Sequence, residues 1–106
     1  MIPDQDNIKE LSVKEARHKI SAGETIVIDV RSALDHETES IAGARHIASQ
    51  EDFDEFITQA DKERTVICYC YYGNSSLGVC AALQERGFTN AYSLRGGFDA
   101  WKNAAG

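Results

Sequence analysis

Cys70-Tyr71-Tyr72-Gly73-Asn74-Ser75-Ser76 sets a thiol, a short glycine-containing loop and two serines side by side. The thiol closes a β-branched run, Thr65 to Cys70 (TVICYC), that reads as a strand buried on both faces. Ser75 opens the most helix-like stretch of the chain, Ser75 to Arg86. Free N–H groups at a helix start, and others in a curled loop, converge on one point and hold an anion there. A thiolate is such an anion, so the arrangement predicts a depressed pKa for Cys70 and room for a substrate oxyanion. This is nucleophilic chemistry built on backbone dipoles, with no histidine partner. An isolated cysteine at a strand end is more often a small core residue. The strand–loop–helix setting favours the reactive reading here.

The other two cysteines are read differently. Cys68 lies two positions before Cys70, on the same sheet face, and is expected to be a buried structural thiol. Cys80 falls on the apolar side of the following helix and is expected in the core. Cys68, Cys70 and Cys80 with His18, His36 or His46 offer no zinc-ligand spacing, so no metal and no cofactor is expected. Tyr71 and Tyr72 are loop aromatics, at least one of which should wall the pocket. Trp101 is expected to pack under the last helix.

A chain of 106 residues is the size of one domain, expected to span 1–106, and can bury a core without metal or disulfide help. With 11 basic and 17 acidic residues the net charge is −6, which argues against non-specific binding to nucleic acid or anionic membrane, so neither is expected as a partner. A small anion held by local amides is still compatible with that charge. No apolar run approaches the roughly 20 residues that span a bilayer. Met1 to Glu10 is polar and acidic, unlike a signal peptide. Three cysteines make a poor disulfide framework, so free thiols in a reducing, cytoplasmic setting are expected.

The elements that must position the loop follow from local signals. Ser12 with Glu15 forms a capping box for a helix through about Ser21, stopped by Gly23. Thr25 to Val30 (TIVIDV) is a second buried strand, and Arg31 to Thr38 a short helix. Ala44 to Ile47 reads as a brief strand. Ser49 and Asp52 cap a helix carrying Phe53, Phe56 and Ile57 at helical spacing. Gly87 ends the helix after the loop, Ala91 to Leu94 is a short strand, Gly96-Gly97 a turn, and Phe98 to Asn103 a closing helix. Alternating strands and helices of this kind predict an α/β fold with a mainly parallel central sheet. Ligands in such sheets sit at the carboxyl ends of strands. The rule nominates the places after Val30, after Tyr69 and after Leu94. Asp29 and Arg31 flank the first, and the preferred reading is a partly buried ion pair that ties strand to loop. Arg95 follows the third.

Three stretches together resemble the rhodanese-like family, and within it the small single-domain thiosulfate sulfurtransferases. Asp29-Val30-Arg31 with Ile41 and Gly43-Ala44 is similar to the family's N-terminal signature. Cys70 to Ser76 is similar to its catalytic loop, with Cys70 in the nucleophile position. Gly87-Phe88, Leu94, Gly96-Gly97 and Trp101 are similar to its C-terminal signature. The resemblance implies a three-layer fold, a five-stranded, mainly parallel sheet with helices on both faces. It implies that the Cys70 thiolate takes the outer sulfur of thiosulfate or of a persulfide donor, releasing sulfite in the first case. The resulting persulfide then passes sulfur to cyanide or a thiol, a thiol protein included. Many members carry Arg at the position of Ser75 or Lys at that of Leu77, and this loop has no basic residue. The anion would then rest on amides, hydroxyls, and Arg31 or Arg95. Two rival functions stand beside this one. A persulfide carrier or protein-binding rhodanese-like module is the first. A cysteine phosphatase is the second, but its Cys-x5-Arg chemistry needs a guanidinium where this chain has Ser76.

Overall fold

The structure, a computed structural model, describes residues 8–104. The expected domain's ends, residues 1–7 and 105–106, and most of the acidic N-terminal stretch lie outside the described residues. The order along the chain is β1 (Glu10–Leu11), α1 (Val13–Ala22), β2 (Thr25–Asp29), α2 (Ala33–Thr38), β3 (Arg45–His46), α3 (Gln50–Gln59), β4 (Thr65–Tyr69), α4 (Ser75–Glu85), β5 (Ala91–Leu94) and α5 (Gly97–Asn103).

Local chemistry sets the helix ends within two residues of the expected places; α2 starts at Ala33, where Ser32 caps it, rather than at Arg31, and α5 at Gly97 rather than at Phe98. Ser12 Oγ accepts from the Glu15 amide at 3.1 Å, and Glu15 Oε1 accepts from the Ser12 amide at 3.0 Å, closing the capping box of α1. Ser49 Oγ accepts from the Asp52 amide at 3.1 Å and opens α3. Gly87, at φ 97°, ends α4. Its N–H donates to Gln84 O at 3.1 Å and the Phe88 N–H to Leu83 O at 3.0 Å, the paired bonds of a Schellman motif.

The sheet has five strands in the order β1-β5-β4-β2-β3, and every pairing is parallel. The expected mainly parallel sheet is thus parallel throughout. Four of its strands carry a signal in the sequence and β1 carries none. That strand is two residues long and rests on pairing with β5, Glu10 opposite Ser93 and Leu11 opposite Leu94, so it has no periodicity to detect.

Period-two alternation splits the core between the sheet's two faces. Ile28, Val66 and Cys68 face Phe56, Cys80, Leu83 and Phe88, under α3 and α4. Val27, Ile67, Tyr69 and Leu94 face Ala16 and Phe98, under α1 and α5. Cys68 and Cys80 are both fully buried, as expected, and Trp101 packs against the second layer. The carboxyl ends of β2 and β4 lie side by side, Asp29 opposite Tyr69, so the segments that follow them meet at one edge.

Candidate active site

Cys70 is the first residue after β4, and its sulfur is turned toward the start of α4. The Gly73 N–H donates to Sγ at 3.1 Å, and Ser76 Oγ lies 3.4 Å from it. Ser76 Oγ is in turn 2.7 Å from Ser93 Oγ on β5. When Sγ is an anion it can only accept, so the proton order runs from Ser93 to Ser76 to Cys70. Burial pushes the Cys70 thiol up, but the Ser76 hydroxyl and the amides of Ser76, Gly73 and Tyr72 outweigh it, and the net shift is downward. These donors are hydroxyl and backbone groups, as expected from the loop sequence, and none is a basic side chain. Cys68 goes the other way. The Cys80 side chain and complete burial both raise it, which makes it an inert thiol.

The loop keeps its shape because two glycines let backbones touch. Gly73 has φ 94°, and a Cβ there would stand 3.0 Å from Gly96 N. Gly97 has φ 62°, and a Cβ there would stand 2.5 Å from the Tyr71 carbonyl carbon and oxygen. With that space open, the first N–H groups of α5 reach the loop: Phe98 donates to Cys70 O at 2.8 Å and Asp99 to Tyr71 O at 2.9 Å. The α5 start therefore clamps the residue that carries the sulfur.

A cavity of about 180 Å³ opens over Cys70. Tyr71, Tyr72, Asn74 and Ser75 line it from the loop, and Val30, Arg31 and Ser32 from the segment after β2. Gly73 and Ser76 are buried beneath and touch the sulfur. Both tyrosines wall the cavity, where at least one was expected. The Asp29–Arg31 ion pair is present and is buried rather than partly exposed. Arg31 Nη2 lies 2.8 Å from Asp29 Oδ2, and Nε donates to Oδ1 at 3.0 Å. Arg31 also donates to Glu39 O, which ties the strand end to the loop after α2. Its guanidinium stacks over Phe98 at 4.3 Å and over Tyr71 at 5.3 Å. It is thus committed to Asp29 and to the wall, with little charge left for an anion.

Burial raises Asp29, but the Arg31 side chain and amide, His36 and the Tyr69 hydroxyl prevail and hold it down at about 2. Burial in the same network pushes Tyr69 up to about 12. The structure does not bring Arg95 into this group. Its side chain is 63% exposed and its Nε stands 3.9 Å from Glu10 Oε1, outside the residues that line the cavity. A strand end fixes a residue's backbone but not the direction of a long side chain. Arg95 is therefore not a support of the Cys70 pocket in this geometry.

Sequence reasoning missed Ser93, Phe98 and the two histidines around Asp29. His36 Nδ1 lies 2.9 Å from Asp29 Oδ2, and His46 Nε2 donates to Arg31 O at 2.7 Å. The two rings stack at 4.9 Å. For Ser93 the available signal was a lone hydroxyl inside the apolar run Ala91 to Leu94. For the histidines there was none, because their partners are set by the return of the chain after α2. Among the described residues, no group of three or more His, Cys, Asp or Glu side chains is arranged to hold a metal ion.

Compared with known protein families, residues 12–104 match the rhodanese-like domain. The chain belongs to the rhodanese-like family. Relatives named thiosulfate sulfurtransferase GlpE agree with it over nearly their whole length. That of Coxiella burnetii is 42% identical over 94 residues, which is 89% of this chain and 87% of the relative. That of Ectopseudomonas mendocina is 38% identical over 94 residues, 89% of this chain and 84% of the relative. Among solved structures, the human single-domain sulfurtransferase TSTD1 superposes with a TM-score of 0.76 at 20% identity, covering 94% of this chain and 100% of that one, a likeness of fold. The three-layer rhodanese-like fold expected from the three motifs is therefore borne out.

Proposed function

We propose that the protein is a sulfurtransferase that moves a sulfane sulfur from thiosulfate, or from a persulfide donor, to cyanide or a thiol through a Cys70 persulfide. The observation that carries this reading is the Cys70 sulfur held by the Gly73 N–H at 3.1 Å and faced by the Ser76 hydroxyl at 3.4 Å, beneath a cavity of about 180 Å³. The names of the relatives support the choice of donor.

In the first half-reaction the Cys70 thiolate attacks the outer sulfur of thiosulfate. A bond forms between the two sulfurs, the bond to the sulfonate sulfur breaks, and sulfite leaves with the electron pair. The charge on each side is the same, and no external oxidant or reductant enters. In the second half-reaction cyanide or a thiolate takes the outer sulfur, and Cys70 leaves as the thiolate on the amides that stabilised it before. The opening turn of α4, whose first N–H groups have no partner within the helix, faces the anion through both steps. With Arg31 committed to Asp29 and Arg95 turned to Glu10, amides and hydroxyls carry the anionic load. The same arrangement disfavours phosphoryl transfer. The position that would need a guanidinium is Ser76, and its hydroxyl is turned to the sulfur.

Intact mass tests the reading. Exposure to thiosulfate should add one sulfur atom to the protein, and cyanide should remove it as thiocyanate. Cys70→Ser should take up none while keeping its fold, and Cys68→Ser and Cys80→Ala should still load. An unchanged mass with both thiosulfate and a small organic persulfide would sink the proposal and favour a binding module.

A further inference from the structure

Beside the Cys70 cavity runs a second and larger hollow of about 430 Å³, between α4 and the segment that leads into α3. Its walls are mostly apolar side chains, among them Ile47, Phe53, Val79 and Ala82. It shares Val30 and Ser75 with the cavity over Cys70, so the two hollows are neighbours across those residues. The chemistry of the proposed function leaves it unused, because thiosulfate, sulfite and cyanide are small polar anions that fit the smaller cavity.

We propose that this groove is the subsite for the apolar substituent of a small uncharged organic thiol, which accepts sulfur from the Cys70 persulfide. The inference rests on the sulfurtransferase reading above. Three observations select this occupant. The volume falls within the roughly 300–1,000 Å³ of small-molecule pockets. The lining is mostly apolar, with Ser49, Gln50 and Ser75 as its polar members, and holds no cationic side chain. The rim carries a carboxylate: Gln50, which lines the groove, donates to Asp54 at 2.9 Å. A carboxylate-bearing thiol would be repelled where an alkyl thiol is desolvated favourably.

The step balances in atoms and electrons. The acceptor thiol loses its proton to solvent, and its thiolate attacks the outer sulfur of the Cys70 persulfide. A bond forms between the two, the bond from that sulfur to Cys70 Sγ breaks, and Cys70 leaves as the thiolate. The acceptor departs as a hydropersulfide anion.

The test is a series of acceptors on the thiosulfate-loaded enzyme: ethanethiol, propanethiol and butanethiol, with 3-mercaptopropionate as the charged member. The alkanethiols differ little in nucleophilicity, so kcat/KM along the series reads burial. It should rise with each methylene, by up to about fourfold at full burial. 3-Mercaptopropionate should fall below propanethiol. Ala82→Phe fills the groove and should flatten the butanethiol-to-ethanethiol ratio, in which any change in Cys70 reactivity cancels. Ala48→Trp, on the exposed opposite lip, keeps the test open if the first variant folds poorly. A flat series on an enzyme that still forms thiocyanate overturns the groove proposal and leaves the sulfurtransferase reading standing. Loss of transfer to every acceptor, cyanide included, counts against that reading instead. The groove is then judged by titrating Cys70→Ser with butanethiol and following amide resonances. Shifts at Phe53, Val79 and Ala82 support it, and their absence overturns it.

Discussion

The sulfur of Cys70 is set by a contest between burial, which favours the neutral thiol, and hydrogen bonds to the anion, which win. A group whose pKa is depressed is charged over a wider range, so the reactive form persists to lower pH than in an ordinary cysteine. The rate of iodoacetamide alkylation against pH should therefore have its midpoint below the usual value of about 8.5. Ser76→Ala removes the hydroxyl donor and should move that midpoint upward. A midpoint at the ordinary value in the wild type would contradict the amide-and-hydroxyl cradle. The absent loop cation belongs at the same level. Ser75 is exposed and lines the cavity, whereas Leu77 packs against the core, so a new charge is better introduced at Ser75. Ser75→Arg should lower the KM for thiosulfate several-fold. A charge-assisted contact is worth roughly 1.5–3 kcal/mol, and at an exposed site it will lie at the low end and weaken with salt. No change in KM in a folded Ser75→Arg protein would mean that amides and hydroxyls already suffice.

Between α5 and the loop after β4, two backbones meet with no side chain between them. The carbonyls of Cys70 and Tyr71 accept from the first N–H groups of α5, and Gly97 is the residue that lets them approach. Gly97→Ala would place a Cβ 2.5 Å from the Tyr71 carbonyl at φ 62°. The left-handed backbone alone costs roughly 1–2 kcal/mol for a non-glycine residue, and the contact must be relieved by moving the loop. Activity should therefore fall more than stability, because the sulfur rides on the displaced segment. Urea midpoints beside kcat values would check this, and a folded Gly97→Ala protein with full kcat would refute the clamp. The Gly96-Gly97 pair was legible in the sequence as a turn. Its second role, as the seat of the Cys70 loop, was not, because the partner carbonyls lie some distance away along the chain.

At the scale of the whole molecule, a buried charge cluster ties β2, α2 and β4 together. Asp29 is held at about 2 against an ordinary value of 3.8, after burial is outweighed by its hydrogen bonds to Arg31, His36 and Tyr69. A carboxylate with a depressed folded pKa adds stability above its unfolded pKa. That share, roughly 2 kcal/mol at neutral pH, is lost as pH falls from near 4 through 2. Asp29→Asn should remove this acid limb from a plot of unfolding free energy against pH. It also strands the buried Arg31 guanidinium, so at pH 7 it should destabilise by about 3–5 kcal/mol. Urea denaturation of both proteins at pH 7 and pH 3 would decide, and parallel losses at the two pH values would argue against the linkage.

Interactions that close within a few residues were readable in advance. The Ser12–Glu15 box, the Ser49 cap, the β-branched runs of β2 and β4, the Gly87 stop and the strand–loop–helix around Cys70 all depend on neighbours in sequence. Their energies are local, so composition and spacing reveal them, and three motifs in order sufficed to point to the family. Contacts between distant segments followed other rules. Strand β1 exists because β5 offers it free backbone groups. Arg31 faces Asp29 and the cavity wall while Arg95 faces Glu10, although both follow strand ends. Ser93 stands behind Ser76, and an apolar groove opens beside the thiol. In each case the partner is supplied by the way the sheet stacks its strands and by the direction a long side chain takes to satisfy its charge. Spacing along the chain carries no record of either.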